Sequence, residues 1–572
     1  MILGIVSVLL FTVAPIVLVV LLVRHASSRQ GPRAADGRSV RRFFQYLLLF
    51  GLMVVAAVGV SDLLARPFAE PSIVGDDGAA LARTLTFTVF GIPMFVATAV
   101  WSRRRLRADP EEARSLGWSA YSTVAPLTAL VIAMVALYDV LAAALQGEVP
   151  EAAPAVRVVV WTAVWLAHWI LGIRLLDAAR RQGHLVLGSL IGIVTGLGGL
   201  VWLLGAAVDA LLVDRSEQVL TGGGNELAQA GATLLVGAPV WFVYWLRGLA
   251  RAERTPLWLG YVLPLGVGGS LVMAVVGASL ALHRTLVWFV GEPAQPDAVE
   301  HFDGTTTAVA ALVVGAVSWW YHRQVLAGVS GARTEITRVY EYLMAGIALL
   351  AAAAGVAMVV VAAVEAAVPA AAVEIGTSVA NSLLAAVTLL LVGGPLWWLF
   401  WSRIGRAVRQ DQVAELASRT RRTYLFLLFG AGGVAAVIAV LVAAFVGIQG
   451  ALDGGLGAET VRDMRIPVAI LLTSGAISGY HWVVYREDRR HVPAPEPHRG
   501  PRYVLLVGAA DGALADAVSR RTGARVDLWV RDDGGVPPWV VEDVLAAVGG
   551  AGSEAVAVLA GPTGLDTFPI HR

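Results

Sequence analysis

Up to about residue 490, the chain alternates long apolar runs with short polar segments. About 13 of these runs reach the ~20 residues that an α-helix needs to cross a bilayer. The pattern therefore predicts an all-α polytopic membrane protein of about 13 transmembrane helices. Composition agrees, because the mean hydropathy is +0.71 and only 15% of residues are charged, against roughly 25% in soluble proteins.

A Trp-rich segment recurs at the end of every second apolar run. "LLVGAPVWFVYWLR" at 234–247 and "LLVGGPLWWLFWSR" at 390–403 are identical at eight of fourteen positions. Each copy closes an apolar run that follows another apolar run, so the repeating unit is a hairpin of two transmembrane helices. Six hairpins follow a first helix at 2–23, and the other copies of the segment lie at 312–323, 475–486, 91–103 and 161–174.

The hairpins predict the domain organisation of the chain. Grouping them in pairs gives three four-helix units about a pseudo-axis along the membrane normal. The predicted boundaries are an N-terminal helix and basic loop at 1–39, hairpins 1–2 at 40–183, hairpins 3–4 at 184–330, hairpins 5–6 at 331–490, a charged Pro-rich linker at 491–501 and a small domain at 502–572.

The small domain has a different pattern. Short apolar runs typical of buried strands alternate with two amphipathic segments, and this βαβαβ order predicts a small three-stranded parallel sheet covered by helices. The turn "GAADGA" at 508–513 follows the first strand but lacks both GxGxxG and the Lys of a P-loop. An ordinary turn is therefore favoured over a nucleotide site.

The distribution of Arg predicts the orientation. Loops between hairpins are rich in Arg, whereas loops within hairpins are acidic, and the positive-inside rule places Arg-rich loops in the cytoplasm. The N-terminus is then outside and the C-terminal domain cytoplasmic. No basic residue precedes the first apolar run and no small-residue cleavage site follows it, so we expect a retained helix rather than a signal peptide.

Each well-preserved Trp-rich segment combines residues with different roles. Pro at membrane depth is expected to kink the helix, and Gly to allow a neighbouring backbone to approach closely. Trp and Arg near the cytoplasmic end are typical of interfacial anchors. The predicted anchors are Trp241, Trp245, Arg247, Trp319, Trp320, Arg323, Trp397, Trp398, Trp401 and Arg403.

Four acidic residues recur near the end of the first helix of a hairpin. They are Asp62, Asp139, Asp209 and Glu365. Ionisable residues within a membrane point to function by default, so contact with a ligand or lipid headgroup is one interpretation. Helical rise, however, places them roughly 28–38 Å from the cytoplasmic start, beyond a hydrocarbon core of ~30 Å. Termination of the helix at the outer interface is favoured.

Histidine offers a second candidate. His168 and His322 share one position of the repeat, and His481 lies one position away. Haem or metal ligation is one hypothesis, but Tyr244 and Phe400 occupy the same position, which favours a simple requirement for an aromatic ring. With no Cys and no HExxH, GxSxG or P-loop pattern, we predict no catalytic residue, no metal site and no cofactor.

The quoted segments, with "VRRFFQYLLLFGL" and "TRRTYLFLLFGAG" before them, resemble a bacterial multi-pass membrane family catalogued only as a domain of unknown function. The resemblance covers most of residues 40–488. It implies repeated four-helix units in the bacterial plasma membrane, in some members with a short cytoplasmic tail domain. It implies no activity and no site residue. The segments at 91–103 and 161–174 depart from the pattern, and the second lacks its Gly and Pro.

Three functions are compatible with this architecture. The favoured one is a non-enzymatic scaffold or sensor in the lipid bilayer, which binds a cytoplasmic protein partner through residues 502–572. A transporter or lipid-handling protein that uses a seam between repeats is the alternative, and a membrane enzyme ranks last. The net charge of +1 is not pooled in one patch, so nucleic acid is not an expected partner. The oligomeric state is left open.

Overall fold

The computed structural model describes residues 37–68, 77–113, 115–176, 178–212, 223–327, 334–368, 378–453, 457–491, 501–509, 511–531, 539–550, 553–561 and 564–570. These residues form two compact units. The first is helical and extends to Gln412 and over Ser418–His481. The second comprises Val413–Ala417 and the chain from Trp482 onwards.

Twelve helices in the described residues are long and apolar enough to cross a membrane. They are α1 Arg41–Phe68, α2 Gly78–Ala108, α3 Gly117–Leu145, α4 Ala152–Leu175, α5 Arg181–Leu212, α6 Asn225–Arg251, α7 Pro256–Val290, α8 Ala298–Leu326, α9 Glu335–Ala367, α10 Val379–Gln410, α11 Arg419–Leu452 and α12 Arg465–His491. This confirms the predicted all-α polytopic class. The predicted first helix, at 2–23, lies outside the described residues.

The helices pack in the order that the repeats predict. In hairpins 1 to 5 the two helices of each hairpin lie against each other. In the sixth, Ser478 Oγ on α12 donates a hydrogen bond of 2.8 Å to the carbonyl oxygen of Phe429 on α11. Successive hairpins also touch, through α1 with α3, α3 with α6, α5 with α8, α7 with α10, and α9 with α11.

Glycine brings the two helices of a hairpin close together. A Cβ atom at Gly315 would lie 2.6 Å from the backbone nitrogen of Ala274, and one at Gly393 would lie 2.6 Å from that of Ala352. Glycines on the first helix are equally tight, because a Cβ at Gly277 would lie 2.5 Å from the carbonyl oxygen of Ala308. The glycine of the repeat therefore lies in the seam within each of these hairpins.

Proline in the Trp-rich segments has varied local effects. In α6, Pro239 is followed by a widened π-helical turn at Phe242–Gly248. In α2 a similar turn, at Phe87–Gly91, ends two residues before Pro93. The helix over Val379–Gln410 contains Pro395 without such a turn. Loss of one backbone hydrogen bond is thus absorbed differently from one repeat to another.

The second unit contains a four-stranded sheet. Its elements are β1 Tyr503–Gly508, α13 Gly512–Thr522, β2 Arg525–Val530, α14 Val541–Gly550, β3 Ala555–Gly561 and β4 Gly564–Pro569, with strand order β2-β1-β3-β4. The core is fully buried and includes Val504, Leu506, Val544, Val556 and Val558.

The first three strands are parallel, as predicted, but the prediction of a three-stranded sheet is wrong. Strand β4 adds to β3 in antiparallel orientation. Its sequence, GLDTFP, forms no apolar run, because an edge strand packs on the core with only alternate residues. The chain reverses at Gly564, which has a φ of 141° that favours glycine.

Candidate functional site

The four predicted acids lie in four different helices and have different surroundings. Glu365 is buried in α9, Asp62 and Asp209 are half-buried, and Asp139 is exposed. Asp62 Oδ2 lies 3.7 Å from a guanidinium nitrogen of Arg83 within its own hairpin. In the described residues, no group of three or more acidic or histidine side chains could hold a metal ion.

Glu365 joins two hairpins. Its Oε1 lies 3.1 Å from Nε of Arg465 at the start of α12, with side-chain exposures of 7% and 21%. Arg465 also donates to the carbonyl oxygen of Arg462, and Arg462 in turn donates to the carbonyl oxygen of Val368 beyond the end of α9. These contacts connect hairpin 5 to hairpin 6, so Glu365 does more than end a helix.

The predicted anchors divide into exposed and enclosed side chains. Trp320 is 56% exposed and Trp398 is 68% exposed, as a lipid-facing indole would be. Trp245 is fully buried, so it does not fit the predicted role of a lipid anchor. The remaining predicted anchors are Arg247, which is exposed, and Trp241, Trp319, Arg323, Trp397, Trp401 and Arg403, which are half-buried.

The enclosed indoles connect one hairpin to the next. Trp245 donates its indole N–H to the hydroxyl of Tyr321 at 3.1 Å, across hairpins 3 and 4. Equivalent bonds of 2.8 Å run from Trp165 to Tyr244 and from Trp401 to Tyr480. A tryptophan that repeats along the chain is thus explained by packing between repeats as well as by the membrane interface.

A histidine occurs in the second helix of hairpins 2, 4 and 6; it is half-buried in hairpin 2 and buried in hairpins 4 and 6. In His168, His322 and His481, Nδ1 lies 2.8, 2.8 and 2.7 Å from the carbonyl oxygen four residues earlier. Since a carbonyl oxygen only accepts hydrogen bonds, Nδ1 carries the proton and, in the neutral ring, Nε2 presents a lone pair. The odd-numbered hairpins 3 and 5 have Tyr244 and Phe400 at this position.

The three Nε2 atoms meet different partners. That of His168 accepts a hydrogen bond from Tyr121 at 2.9 Å. Those of His322 and His481 are buried and have no hydrogen-bond partner among the described residues. The ring of His322 lies in the space left by Gly266 and packs on Trp245, with ring centroids 5.4 Å apart. Nε2 of His322 and Nε2 of His481 could each accept one hydrogen bond, but in the described residues the histidines do not form a joint metal site.

Two serine hydroxyl groups form hydrogen bonds inside hairpin 4. Ser270 Oγ on α7 lies 2.7 Å from Ser318 Oγ on α8, and Ser318 Oγ lies 3.4 Å from Nδ1 of His322. Both serines are buried. This short chain links two helices within the predicted membrane span and satisfies hydroxyl groups that would otherwise be costly there.

The sequence analysis missed a charged cluster between hairpins 1 and 2. Glu112 has a fully buried side chain and accepts from Arg41 at 2.8 Å and from Arg42 at 2.9 Å. Arg42 also reaches Asp109 at 3.0 Å. The sequence contains one sign of this cluster. The spacing of Glu112, Ser115 and Tyr121 recurs in Glu415, Ser418 and Tyr424.

In the second unit, Trp539 fills the place where a nucleotide would bind. Its indole donates to the carbonyl oxygen of Ala509 at 2.7 Å, and a Cβ at Gly508 would lie 2.5 Å from its ring. In open parallel sheets, ligands bind beyond the carboxyl ends of the strands where the strand order reverses. Because the order reverses at β1, Trp539 occupies that crevice.

Twelve apolar helices arranged as repeated hairpins, together with a small α/β unit, define a multi-pass helical membrane protein. The family described as "Domain of unknown function (DUF5671)" matches residues 42–167, 184–296 and 338–476, about two thirds of the chain. The chain belongs to this family. Each matched segment falls within one of the three predicted pairs of hairpins. Among curated proteins and among solved structures, none matches the chain significantly.

Proposed function

We propose that the protein is a non-enzymatic membrane scaffold or sensor whose C-terminal domain binds a partner protein in the cytoplasm. One observation carries the scaffold part of the proposal. Polar side chains of the helical unit are used to join helices, as in the pair Glu365–Arg465 and the cluster of Glu112 with Arg41 and Arg42. Asn381 likewise clamps the backbone of Glu292 with bonds of 2.9 and 2.7 Å.

Strand β2 supports the docking part. It forms an edge of the sheet, and its last two residues, Trp529 and Val530, are 63% and 57% exposed. An edge strand offers backbone groups to which an extended peptide can pair. Trp529 lies in this strand, and exposed Trp residues are typical of those that dominate the binding energy of protein interfaces.

Site-directed photo-crosslinking in cells tests the docking role. A photoreactive amino acid replaces Trp529 in the full-length chain, and the matched control carries it at Phe568, which is 50% exposed on the opposite edge strand β4. We expect one discrete adduct at position 529 that is absent at 568. The partner, once identified and purified, should bind the full chain, and Trp529→Ala should weaken that binding at least about tenfold. Equal labelling at both positions would contradict the proposal.

Transport or lipid handling through a seam between repeats is the alternative, and one observation favours it. The buried Nε2 atoms of His322 and His481 have no partner among the described residues, and an interior ligand could supply one. Native mass spectrometry of gently extracted protein distinguishes the two functions. A stoichiometric small molecule lost in His322→Phe or His481→Phe would support the alternative, whereas a protein partner lost on deletion of 499–572 supports the scaffold.

A further inference from the structure

Four side chains meet between hairpins 4 and 5, at the Arg-rich ends of their helices. They are Trp319 and Arg323 on α8, Tyr340 on α9 and Arg403 on α10, and we refer to them as the donor cluster. The guanidinium of Arg323 lies over the ring of Trp319 at 5.6 Å. That of Arg403 lies over Phe400 at 5.6 Å, and Phe400 packs edge-on against Tyr340 at 6.0 Å. Trp319, Tyr340 and Phe400 pack in one apolar cluster, which brings both guanidinium groups around the Tyr340 hydroxyl.

The hydrogen-bonding capacity of the donor cluster is not fully used within the described residues. Tyr340 is 9% exposed, and its hydroxyl and the indole nitrogen of Trp319 are buried without a hydrogen-bond partner there. The indole of Trp319 lies close enough to the Tyr340 hydroxyl to act on it, and the O–H of that hydroxyl has no acceptor among the described residues. Leaving such donors unpaired in a buried position is costly, which points to a species that pairs with them.

The charges of the donor cluster are only partly compensated. Arg42 and Arg465 each have a carboxylate at 3.1 Å or less. Within the described part of the chain, Arg323 and Arg403 have no carboxylate within 4.0 Å, and both are half-buried. The acid nearest in sequence, Glu341, follows Tyr340 and also acts on its hydroxyl. Two guanidinium groups against one carboxylate leave an excess positive charge at this seam.

We infer that the donor cluster binds the phosphate of an anionic phospholipid headgroup. Arg and Trp offer only donors, and the planar fork of Arg matches phosphate oxygens. Tyr340 lies five residues, or about 7.5 Å, from the start of α9 by helical rise, which is the depth of the headgroups. Basic pockets between transmembrane helices on the cytoplasmic side recognise such headgroups.

A lipid is favoured over free phosphate because apolar side chains surround the donor cluster. Trp320 and Val317 on α8 are 56% and 60% exposed, and Trp398 on α10 is 68% exposed. These side chains would contact the acyl chains of a lipid whose headgroup reaches the arginines. Free phosphate would make no use of them.

Hairpin 3 provides a matched control. Arg247 stacks on Phe242 at 5.3 Å and lies at the same end of its helix. It is exposed, whereas Arg323 and Arg403 are half-buried. Removing its charge changes the general attraction to an anionic surface while leaving the donor cluster intact.

Native mass spectrometry of the full chain in detergent, titrated with phosphatidylglycerol or phosphatidylcholine, tests the assignment. We expect wild-type protein to retain one phosphatidylglycerol in preference to phosphatidylcholine. The double variant Arg323→Gln with Arg403→Gln should bind phosphatidylglycerol at least about tenfold more weakly, since each basic residue contributes to this attraction. Tyr340→Phe should weaken binding roughly threefold or more through loss of one hydrogen bond. Arg247→Gln should bind like wild type.

Several results would overturn the assignment. Equal binding of both lipids, or an equal loss in Arg247→Gln, would show only a general attraction to charge. Complete displacement of phosphatidylglycerol by millimolar inorganic phosphate would assign the donor cluster to free phosphate instead. Tyr340→Phe preserves the ring packing against Phe400, so its result remains decisive if the double variant folds poorly. Binding of phosphatidylglycerol by Tyr340→Phe and by the double variant at wild-type strength would also refute the inference.

Discussion

At the residue scale, the repeated Gly has a structural cause that its neighbour lacks. A Cβ at Gly393 would lie 2.6 Å from the backbone nitrogen of Ala352, whereas a Cβ at the adjacent Gly394 would meet nothing within 4 Å. Two consecutive glycines in one helix therefore face different surroundings. Only the first is required for the approach of α9 to α10.

The pair predicts opposite responses to alanine. Gly393→Ala should destabilise the helical unit by about 1–3 kcal/mol, because the added methyl group forces two backbones apart. Gly394→Ala should be neutral or stabilise by up to roughly 1 kcal/mol, since alanine favours the helix. Thermal unfolding of the purified full chain in mild detergent measures both. Similar losses in the two variants would show that the seam is not the cause.

Some residues of the candidate sites were accessible to sequence reasoning, and others were not. The Gly positions were found because they repeat 78 residues apart, at Gly237, Gly315 and Gly393. The burial of Trp245 could not be predicted, because an apolar helix surface has the same sequence pattern whether lipid or another helix covers it. Glu112 was missed because a carboxylate in a polar loop is typical of solvent, and its two Arg partners lie 70 and 71 residues earlier.

At the element scale, the ion pairs between helices differ in how strongly they hold those helices together. The pair of Glu365 and Arg465 is largely enclosed and connects α9 to α12, whereas the pair of Asp62 with Arg83 has an arginine side chain that is 62% exposed. Exposed pairs contribute little to stability, and enclosed pairs are costly to break. The acids of this repeated position are therefore not equivalent.

Replacement by the uncharged amide tests this difference. Glu365→Gln should lower the stability of the helical unit by about 1–3 kcal/mol, because Arg465 keeps its charge without a counter-charge. Asp62→Asn should cost less than about 0.5 kcal/mol. A double-mutant cycle with Arg465→Gln isolates the coupling between the two side chains. Absence of coupling, or an equal loss in Asp62→Asn, would contradict the interpretation.

Elements were predicted with unequal success for a physical reason. Helices α1 to α12 were found because a membrane span needs a long apolar run, and such runs are unmistakable over 20 residues or so. Strand β4 was not predicted, because an edge strand packs only two or three side chains against the core and so leaves no apolar run in the sequence. The widened turns at Phe87–Gly91 and Phe242–Gly248 have no distinct sequence signal, since Pro395 occurs in a helix that lacks one.

At the scale of the whole molecule, the even number of spans in each hairpin determines which loops lie on the same face of the membrane. Each hairpin crosses the membrane twice, so every connection between hairpins lies on one face and every connection within a hairpin on the other. The first face is rich in Arg, and the positive-inside rule predicts that it faces the cytoplasm. The donor cluster lies at the ends of helices that belong to this face.

Reporter fusions test the predicted orientation of the whole chain. A reporter that is active only in the cytoplasm should work when fused after Arg105, near the end of α2, and fail when fused after Asp76, between α1 and α2. A second reporter, active only outside the cytoplasm, should give the reverse result. Activity in the opposite pattern would invert the assignment of both faces, and with it the predicted location of the C-terminal domain.

The paired glycines also bear on how such a chain can grow. Gly199, Gly277 and Gly355 on the first helices are spaced as Gly237, Gly315 and Gly393 are on the second, always 78 residues apart. One hairpin therefore behaves as an interchangeable module of constant length. Duplication or loss of one hairpin would leave all later segments of the chain on the same side of the membrane. The number of hairpins could therefore change during evolution without moving the C-terminal domain across the membrane. Gain of a single helix would place that domain on the other side.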